Sequence, residues 1–436
     1  MPHITDEPPL TTYTIPGIRV RDHVVPVPLD WSDPGGDTIT VFARELADPV
    51  RAAEDLPCLL YLQGGPGGKG PRPTGTSGWL GQALRTHRVI LLDQRGTGRS
   101  SRIDGRVISA FGSAREAAGY LARFRADSIV ADAEHLRTTV FGGRRWETLG
   151  QSYGGFITLT YLSTAPQGLS ACYVTGGLPA LEPDAAEVYR RTYPRVAAKN
   201  AEFYRRYPHH VETVARLADR LSAGDVLLPD GDVLTVRRLR SLGIDFGMKP
   251  GYERMHWLLD EALDGAHVTE TFLHQVLARS SYSDNPLFAV LQESIYGSGP
   301  GATGWAAERE RARHPGFAES ARPLLFTGEM MYPWMFEEIC ALRPFRGAME
   351  LLASRADWPP LYDPVRLAAN EVPLAAAVYY DDMYVDSGLQ LDTAARIGNA
   401  QAWVTNEYEH DGLGEERVFA RLTALVRDLG GGITGD

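Results

Sequence analysis

The chain has 436 residues, of which 44% are hydrophobic and 23% charged, so it contains ample material for a large buried core. Its formal net charge of −11 argues against a nucleic-acid partner, because such partners attract a basic surface. No run of about 18 apolar residues occurs, which excludes a predicted membrane-spanning helix. We expect one large domain with an insertion, or two domains.

The three cysteines, Cys58, Cys172 and Cys340, are odd in number and lie far apart in the sequence. They form neither a disulfide framework nor a metal-ligand spacing, which favours a reducing compartment. Residues 1–10 lack the basic and apolar regions of a secretory signal. These features together predict a cytoplasmic protein.

The first part of the chain alternates between strand-like runs, loops and helical stretches. Strands are predicted at residues 23–29, 38–46, 57–62, 88–93, 146–149 and 171–175, the first two as a β-hairpin. Three glycine-rich loops, at residues 64–68, 96–98 and 150–155, follow strands of this series. The alternation predicts an open parallel α/β sheet, and active sites in such sheets lie at the carboxyl ends of the strands.

From residue 181 to about 352 the strand-like runs nearly vanish and helical spacing takes over. Helices are predicted at 188–207, 211–221, 252–263, 269–278 and 285–296. Sheet character returns at 372–382 and 402–405, and an apolar helix is predicted over 418–429. We therefore expect a core in two parts, residues 1–180 and 353–436, with a mostly helical cap, residues 181–352, inserted after the sixth predicted strand.

Gly150-Gln151-Ser152-Tyr153-Gly154 stands between a predicted strand and an apolar helix. This Gly-x-Ser-x-Gly spacing is typical of the nucleophile elbow of α/β-hydrolases, a sharp turn that exposes a serine hydroxyl. The N-terminus of the following helix suits a developing negative charge. Ser152 is therefore the candidate nucleophile, and the fold class is predicted to be that of an α/β-hydrolase.

A nucleophilic serine needs a histidine base and a carboxylate that orients it, and in this fold they follow the serine in the order acid, then histidine. Asp382 ends a late predicted strand, and His410, the last histidine of the chain, lies just beyond the next one. Asp381 is the second candidate for the acid and Asp386 the third. The order predicts a triad of Ser152, Asp382 and His410.

An oxyanion hole needs two converging backbone N–H groups. Tyr153, the residue after the serine, would supply one of them. Gly65 or Gly64, in the loop after the third predicted strand, would supply the other. A phosphate-binding role for that loop is disfavoured, because no Gly-Lys-Ser/Thr follows it.

Three strings of this sequence together resemble the proline iminopeptidases, which are capped α/β-hydrolases that remove an N-terminal proline from peptides. The strings are the Gly-Gly-Pro-Gly-Gly loop at 64–68, Asp-Gln-Arg-Gly-Thr-Gly-Arg-Ser at 93–100, and the elbow at 150–155. The resemblance covers about residues 38–177 and 372–429. The length of the chain and its Glu-His-Asp-Gly-Leu string at 409–413 are similar to the larger branch of the family, whose chains have roughly the length of this one.

The resemblance implies Ser152 as nucleophile, Asp382 as acid and His410 as base. It also implies glutamates in the cap that pair with the α-ammonium group of the substrate, which an exopeptidase must recognise. Glu293 and Glu329 are our candidates, because both stand among apolar or aromatic residues; the alternative is that they form structural ion pairs with arginines. Two positions depart from the family pattern: Gln63 stands where histidine is frequent, and Tyr153 where tryptophan is common.

The hypothesis is therefore acyl transfer from a peptide with a free N-terminus, proline first, through a covalent acyl-enzyme, with no metal and no organic cofactor. An esterase, lactonase or amidase of the same fold is the first alternative, favoured if the cap pocket is entirely apolar. A catalytically silent binding protein on the same scaffold is the second, disfavoured because all three triad candidates are present.

Overall fold

The computed structural model describes residues 11–432, so the prediction about a secretory signal in residues 1–10 lies outside the described residues. The strands are β1 Thr12–Ile15, β2 Ile18–Pro28, β3 Thr38–Ala47, β4 Cys58–Leu62, β5 Arg88–Asp93, β6 Trp146–Gln151, β7 Leu169–Thr175, β8 Leu263–Asp264, β9 His267–Val268, β10 Gly299–Pro300, β11 Asp357–Trp358, β12 Leu374–Tyr379 and β13 Ala400–Thr405.

The helices are of very different lengths. They are α1 Gly78–Leu84, α2 Gly105–Ser109, α3 Ala114–Leu121, α4 Ala126–Thr139, α5 Tyr153–Thr164, α6 Ala185–Arg206, α7 His210–Leu221, α8 Val236–Arg240, α9 Gly251–Asp260, α10 Glu270–Ser280, α11 Pro286–Leu291, α12 Ala306–Arg311, α13 Met335–Glu338, α14 Arg346–Ser354, α15 Pro364–Ala368, α16 Ser387–Ala394 and α17 Glu416–Asp428. Within residues 11–432, none of them combines the length and apolar character that crossing a membrane requires.

Nine strands form one sheet in the order β1-β2-β3-β5-β4-β6-β7-β12-β13. The strands from β1 to β3, and the pair β3–β5, run antiparallel, whereas every pairing from β5 through β13 is parallel. In a parallel sheet all strands end at the same edge. The loops after β4, β5, β6, β12 and β13 therefore meet at one edge of the sheet.

Both faces of the sheet are buried, and this explains the continuous apolar runs of its central strands. In β4, Leu60 and Leu62 point into a core that also contains residues of α4 and α5. Leu59 and Tyr61, on the opposite face, pack in a second core with residues of α1 and α17. The molecule thus has the three-layer arrangement of helix, sheet and helix that the strand–helix alternation predicts.

The structure confirms the predicted hairpin as β2 and β3 and adds the edge strand β1, whose short polar sequence gave no strand pattern. Because of β1, the helical insertion follows the seventh strand of the sheet and not the sixth. The insertion contains helices where they were predicted, except that the predicted helix 285–296 is broken. It ends at Leu291, and a short 3₁₀ turn, Ser294–Tyr296, follows.

Candidate active site

Ser152 occupies the turn between β6 and α5 with φ 55° and ψ −124°. Non-glycine residues rarely adopt this conformation, which costs about 1–3 kcal/mol and persists where the surroundings enforce it. The N–H of Ser152 donates to the Thr175 carbonyl at 2.9 Å, and its carbonyl accepts the N–H of Gly155 at 2.8 Å. The side chain is half-buried. The turn therefore presents a serine hydroxyl at the carboxyl edge of the sheet.

The glycines of the motif are required by close packing around this turn. A Cβ on Gly154 would lie 1.9 Å from the Leu62 carbonyl oxygen, and one on Gly150 would lie 2.4 Å from the carbonyl oxygen of Gly154. Both distances are shorter than any real contact. Helix α5 can therefore approach β4 and β6 only because these two positions carry no side chain.

Asp382 and His410 come together behind the serine. His410 Nδ1 and Asp382 Oδ2 are 2.6 Å apart, and both side chains are buried. The other oxygen of Asp382 accepts the backbone N–H groups of Tyr384 at 2.8 Å and Val385 at 3.1 Å. The carboxylate is thus fixed by three hydrogen bonds and lies at the end of β12.

The two alternative acids are engaged elsewhere. Asp381 pairs with Arg195 at 3.3 Å, and Asp386 accepts the N–H of Leu389 at 3.0 Å as the N-cap of α16. Asp381 and Asp382 lie in the turn after β12, and their carboxyl groups take different partners. The structure brings Asp382 to His410.

Both the backbone and the imidazole ring of His410 are fixed by neighbouring residues. Its backbone N–H donates to the Gly247 carbonyl at 3.0 Å, and the Tyr384 ring packs edge-on against the imidazole at 4.7 Å. Burial lowers the pKa of His410, but the charge and hydrogen bond of Asp382 raise it by more, so the net pKa lies above the ordinary value of histidine. Such an environment stabilises the imidazolium that a base becomes after it takes a proton.

Two consecutive glycines lie between the serine and the imidazole, one packed against each. A Cβ on Gly177 would lie 2.2 Å from the Ser152 carbonyl oxygen, and one on Gly176 would lie 3.1 Å from His410 Nδ1. Among the hydrogen bonds of residues 11–432, none joins the Ser152 hydroxyl to His410. In unliganded enzymes such bonds are often long and shorten when substrate binds.

The predicted oxyanion loop lies directly against the serine. A Cβ on Gly64 would be 2.9 Å from Ser152 Cβ, and Gly65 has a φ of 128°, which favours glycine. Tyr153 opens α5, and the first N–H groups of a helix have no partner within the helix. Gly64 therefore packs against Ser152, and Gly65 and Tyr153 are the next residues along their respective segments.

The string at 93–100, whose role the sequence left open, supports this loop. Asp93 accepts the backbone N–H of Gly70 at 3.0 Å, and the Gln94 side chain donates to the Gln63 carbonyl at 2.7 Å. Arg95 is buried and forms an ion pair with Asp132 at 2.5 Å. The string is thus a scaffold for the oxyanion loop, a role that its resemblance to a family motif could not show.

Glu293 and Glu329 have different surroundings. The two oxygens of Glu293 accept the N–H groups of Ala306 at 3.0 Å and Ala307 at 2.9 Å, so this buried carboxyl group caps α12. Burial raises its pKa to about 7, against a lowering by those two hydrogen bonds. These two hydrogen bonds make Glu293 a helix cap, which is not the arginine ion pair that the alternative interpretation expected.

Glu329 is half-buried and lies within electrostatic reach of the triad candidates. Burial raises its pKa to about 8, against a lowering by the nearby His410 and by a hydrogen bond with the Gln292 side chain. A carboxyl group with a strongly raised pKa beside a histidine–carboxylate pair is typical of a functional site.

Aromatic rings connect the elbow helix to both glutamates. Phe156 on α5 contacts Tyr296 at 6.2 Å between ring centres, and Tyr296 contacts Tyr189 on α6 at 6.3 Å. Burial raises the pKa of Tyr189 and of Tyr296, and the charges of Glu293 and Glu329 raise both further. A chain of buried aromatic rings therefore joins α5 to α6, and both glutamates lie within electrostatic reach of it.

One face of α6 carries basic residues that the sequence analysis overlooked. Arg191, Arg195 and Lys199 follow one another at intervals of four, which places them on one side of a helix. Their partners are Asp386 at 3.4 Å, Asp381 at 3.3 Å and Glu409 at 2.6 Å. We call these three ion pairs the α6 seam. It joins the helical insertion to the loops that carry Asp382 and His410.

The parallel sheet and the serine turn define a class of protein, the α/β-hydrolases, and residues 57–216 match the family model described as alpha/beta hydrolase fold. The chain is 47% identical over 420 residues to the proline iminopeptidase of Aeromonas sobria, covering 95% of this chain and 98% of that one. It is 33% identical over 416 residues to proline iminopeptidase aneH of Aspergillus aculeatus, covering 92% of each.

A crystal structure of proline iminopeptidase from Mycobacterium smegmatis covers 93% of this chain and 98% of its own, with 14% sequence identity and a TM-score of 0.41. The 47% identity to the Aeromonas protein extends over nearly the whole chain and shows the family. The chain belongs to the proline iminopeptidases, the α/β-hydrolases that release N-terminal proline from peptides.

Proposed function

We propose that this chain hydrolyses the first peptide bond of substrates with a free N-terminal proline, with Ser152 as nucleophile, His410 as base and Asp382 as the acid that orients it. The observation that carries the proposal is the 2.6 Å bond between His410 Nδ1 and Asp382 Oδ2, next to a serine in a strained turn. A base fixed in this tautomer directs its other nitrogen to the nucleophile.

The reaction has two stages. Ser152 Oγ attacks the prolyl carbonyl carbon while His410 Nε2 takes its proton, and the resulting oxyanion accepts N–H groups from Tyr153 and from Gly65 or Gly64. His410 then gives the proton to the leaving amine, and a prolyl ester of Ser152 remains. Water, deprotonated by the same histidine, hydrolyses this ester and restores the serine. The mechanism needs neither a metal ion nor an organic cofactor.

We assign the substrate ammonium group to Glu329, with Glu293 as a second, more distant carboxyl group. Among residues 11–432, no backbone N–H group donates to the Glu329 carboxyl group. The charge of a substrate ammonium group would offset the cost of burying the ionised carboxylate. Glu293 already accepts two N–H groups. Phe156, Tyr296 and Tyr189 would provide an apolar surface for the proline ring.

We further propose that residues 181–352 act as the cap of a core formed by residues 1–180 and 353–436, and that the protein works in the cytoplasm. The helices of the insertion and the α6 seam support the first proposal. The free state of Cys58, Cys172 and Cys340 supports the second, since it suits a reducing compartment.

The test compares three substrates, proline p-nitroanilide, its N-acetylated form and p-nitrophenyl acetate, on the wild type and on Ser152→Ala. We expect cleavage of the free-amine anilide only, and a loss of roughly 10⁴-fold or more in kcat for the variant. A preference for the blocked anilide or the ester would contradict the amine site. Equal inactivity of both proteins, with no labelling of Ser152 by a fluorophosphonate, would contradict the serine mechanism itself.

A further inference from the structure

Three histidines cluster in the insertion. His209 and His210 stand at the start of α7, and His256 lies on α9. One ring nitrogen from each lies within 4.8 Å of the other two, and the closest pair, His210 Nε2 and His256 Nδ1, is 2.8 Å apart. His209 is exposed, His256 half-buried and His210 buried. The cluster therefore opens to solvent on one side only.

Neighbouring rings hold two of the imidazoles in place. Phe203 lies parallel to His210 with ring centres 5.8 Å apart, and Tyr207 stacks on His256 at 4.3 Å, with 3° between the planes in both cases. The second nitrogen of His210 is buried and has no hydrogen-bond partner among residues 11–432. Packing thus fixes the direction of the two facing nitrogens, so that they converge.

We propose that His209, His210 and His256 form a binding site for one divalent cation of the Zn²⁺ class, separate from the catalytic residues. Imidazole nitrogens suit Zn²⁺, and three of them leave a fourth position for water on the exposed side of His209. Tetrahedral ligands with Zn–N distances of about 2.0–2.1 Å lie about 3.4 Å from one another. His210 and His256 would separate by a few tenths of an ångström, and the exposed His209 would swing inward.

Metal binding also requires a lone pair on each ligand nitrogen. One of the two nitrogens that now share the 2.8 Å hydrogen bond carries its proton. That proton would move to the other nitrogen of the same ring; on His256 this outer nitrogen belongs to a half-buried side chain that water can reach. Two neutral imidazoles can therefore bind the cation without a net loss of protons.

The site would tie α7 to α9 at a place that supports the catalytic histidine. Helix α9 follows the 3₁₀ segment Ser241–Gly247, and the Gly247 carbonyl accepts the backbone N–H of His410 at 3.0 Å. A cation bound at the three histidines would stabilise this part of the insertion, because binding to the folded state alone raises its stability. Its effect is structural and not catalytic.

The test uses the untagged full-length protein, freed of metal with EDTA and titrated with ZnCl₂ by calorimetry, with Co²⁺ absorption as a second probe. We expect one site with a Kd of about 10 μM or tighter, the visible bands of tetrahedral Co²⁺, and a rise in Tm of about 2 °C or more at saturation. His209→Ala and His256→Gln should each weaken binding about tenfold or more.

His267→Ala is the matched control, since His267 is an exposed histidine of the same insertion outside the cluster. It should bind Zn²⁺ as the wild type does, and so should Ser152→Ala. Two results would overturn the proposal: no saturable binding up to about 100 μM Zn²⁺, or binding that survives unchanged in both His209→Ala and His256→Gln. Because His209 is exposed, its replacement leaves the packing intact, and the result can be interpreted even if His256→Gln is poorly folded.

Discussion

Glu329 is a carboxyl group whose surroundings favour its protonated form near neutral pH. Burial raises its pKa to about 8, and the negative charge of Asp382 acts in the same direction. The charge of a substrate ammonium group would reverse this balance, since an opposite charge favours the ionised carboxylate. Under the proposed assignment, Glu329 would distinguish a free N-terminus from a blocked one.

We predict that Glu329→Gln lowers kcat/KM for proline p-nitroanilide roughly 100-fold, mostly through KM, because the ammonium group loses its charged partner. The pH profile should change as well. In the wild type, kcat/KM should fall below pH 8 as Glu329 takes a proton, and protonation of His410 should add a second limb; the variant should keep only the histidine limb. Glu371→Gln, at an exposed site, is the control, and an unchanged KM in Glu329→Gln would refute the assignment.

The same substitution should stabilise the fold. The folded-state pKa of Glu329 lies above its unfolded value, so between about pH 4.5 and 8 the folded state binds the extra proton and stability falls as pH rises. Glutamine carries no charge to bury. We therefore expect Glu329→Gln to match the wild type in stability below pH 4.5 and to exceed it by on the order of 2 kcal/mol at pH 8. Urea unfolding at both pH values measures this, and a deficit at pH 8 would be inconsistent with it.

Gly64 offers a second residue-scale prediction. A Cβ there would lie 2.8 Å from the Gln151 carbonyl oxygen and 2.9 Å from Ser152 Cβ, both fixed parts of the elbow. Gly64→Ala should displace the oxyanion loop and reduce kcat by roughly 100-fold, the range found when one oxyanion donor is lost. Gly75→Ala is the control, since, apart from its chain neighbours, no atom of residues 11–432 lies within 4 Å of its added Cβ. Wild-type kcat in Gly64→Ala would rule out this loop as the second donor.

Among the elements, α6 connects the insertion with the catalytic loops through the α6 seam. Lys199 and Glu409 are the most buried pair of the three, with side-chain exposures of 10% and 17%. Burial raises the pKa of Glu409, against a lowering by its bond to Lys199. Removing the lysine would leave a buried carboxyl group without a partner one residue before His410.

We predict that Lys199→Met destabilises the protein by about 3 kcal/mol, the range for a broken buried pair, and lowers kcat about tenfold with little effect on KM. The double variant Lys199→Met, Glu409→Gln should recover most of both losses, because the unpaired acid is gone. Arg190→Met, on the exposed side of α6, serves as the control. If the double variant is no better than the single one, the ion pair does not position the histidine loop.

The strands and the candidate site residues could be predicted from the sequence, whereas contacts between distant elements could not. The succession of strands along the chain and the candidates Ser152, Asp382 and His410 followed from local patterns, because Ser152 directly follows β6 and the other two lie in the loops after β12 and β13. The α6 seam could not be inferred, since its partners are 186 to 210 residues apart in the chain. The cap that Glu293 provides for α12 was equally hidden, because the broken helix 285–296 looks continuous in the sequence.

At the scale of the whole molecule, the reactivity of the three free cysteines measures how readily a reagent reaches the core. Cys172 is buried and Cys58 largely so, and burial raises their pKa values to about 12 and about 11, whereas Cys340 is exposed. A thiol reacts as its thiolate, so buried thiols of raised pKa are inert.

We predict that Ellman's reagent titrates one thiol in the native protein and three in denaturant, without loss of activity in the native reaction. Cys340→Ser should abolish the native reaction and leave kcat unchanged, because Cys340 is exposed and its thiol contacts Asp230, which is not a candidate site residue. Rapid native labelling of a second thiol would show that the core around Cys58 and Cys172 opens more readily than its packing indicates, and Cys172→Ala would identify which thiol reacts.

The α6 seam has a consequence for anyone who wishes to recombine parts of this enzyme. Asp381, Asp386 and Glu409 flank Asp382 and His410, the proposed acid and base, and the negative charges of Asp381 and Asp382 already add to the burial that raises the pKa of Glu409. A foreign insertion without three basic residues at the matching positions of its first helix would leave these acids repelling one another beside the active site. The insertion and the sheet of this protein are therefore matched to each other through these ion pairs. A chimaera that receives a new insertion must keep basic residues at the three α6 positions, or must replace the three acids of the core as well.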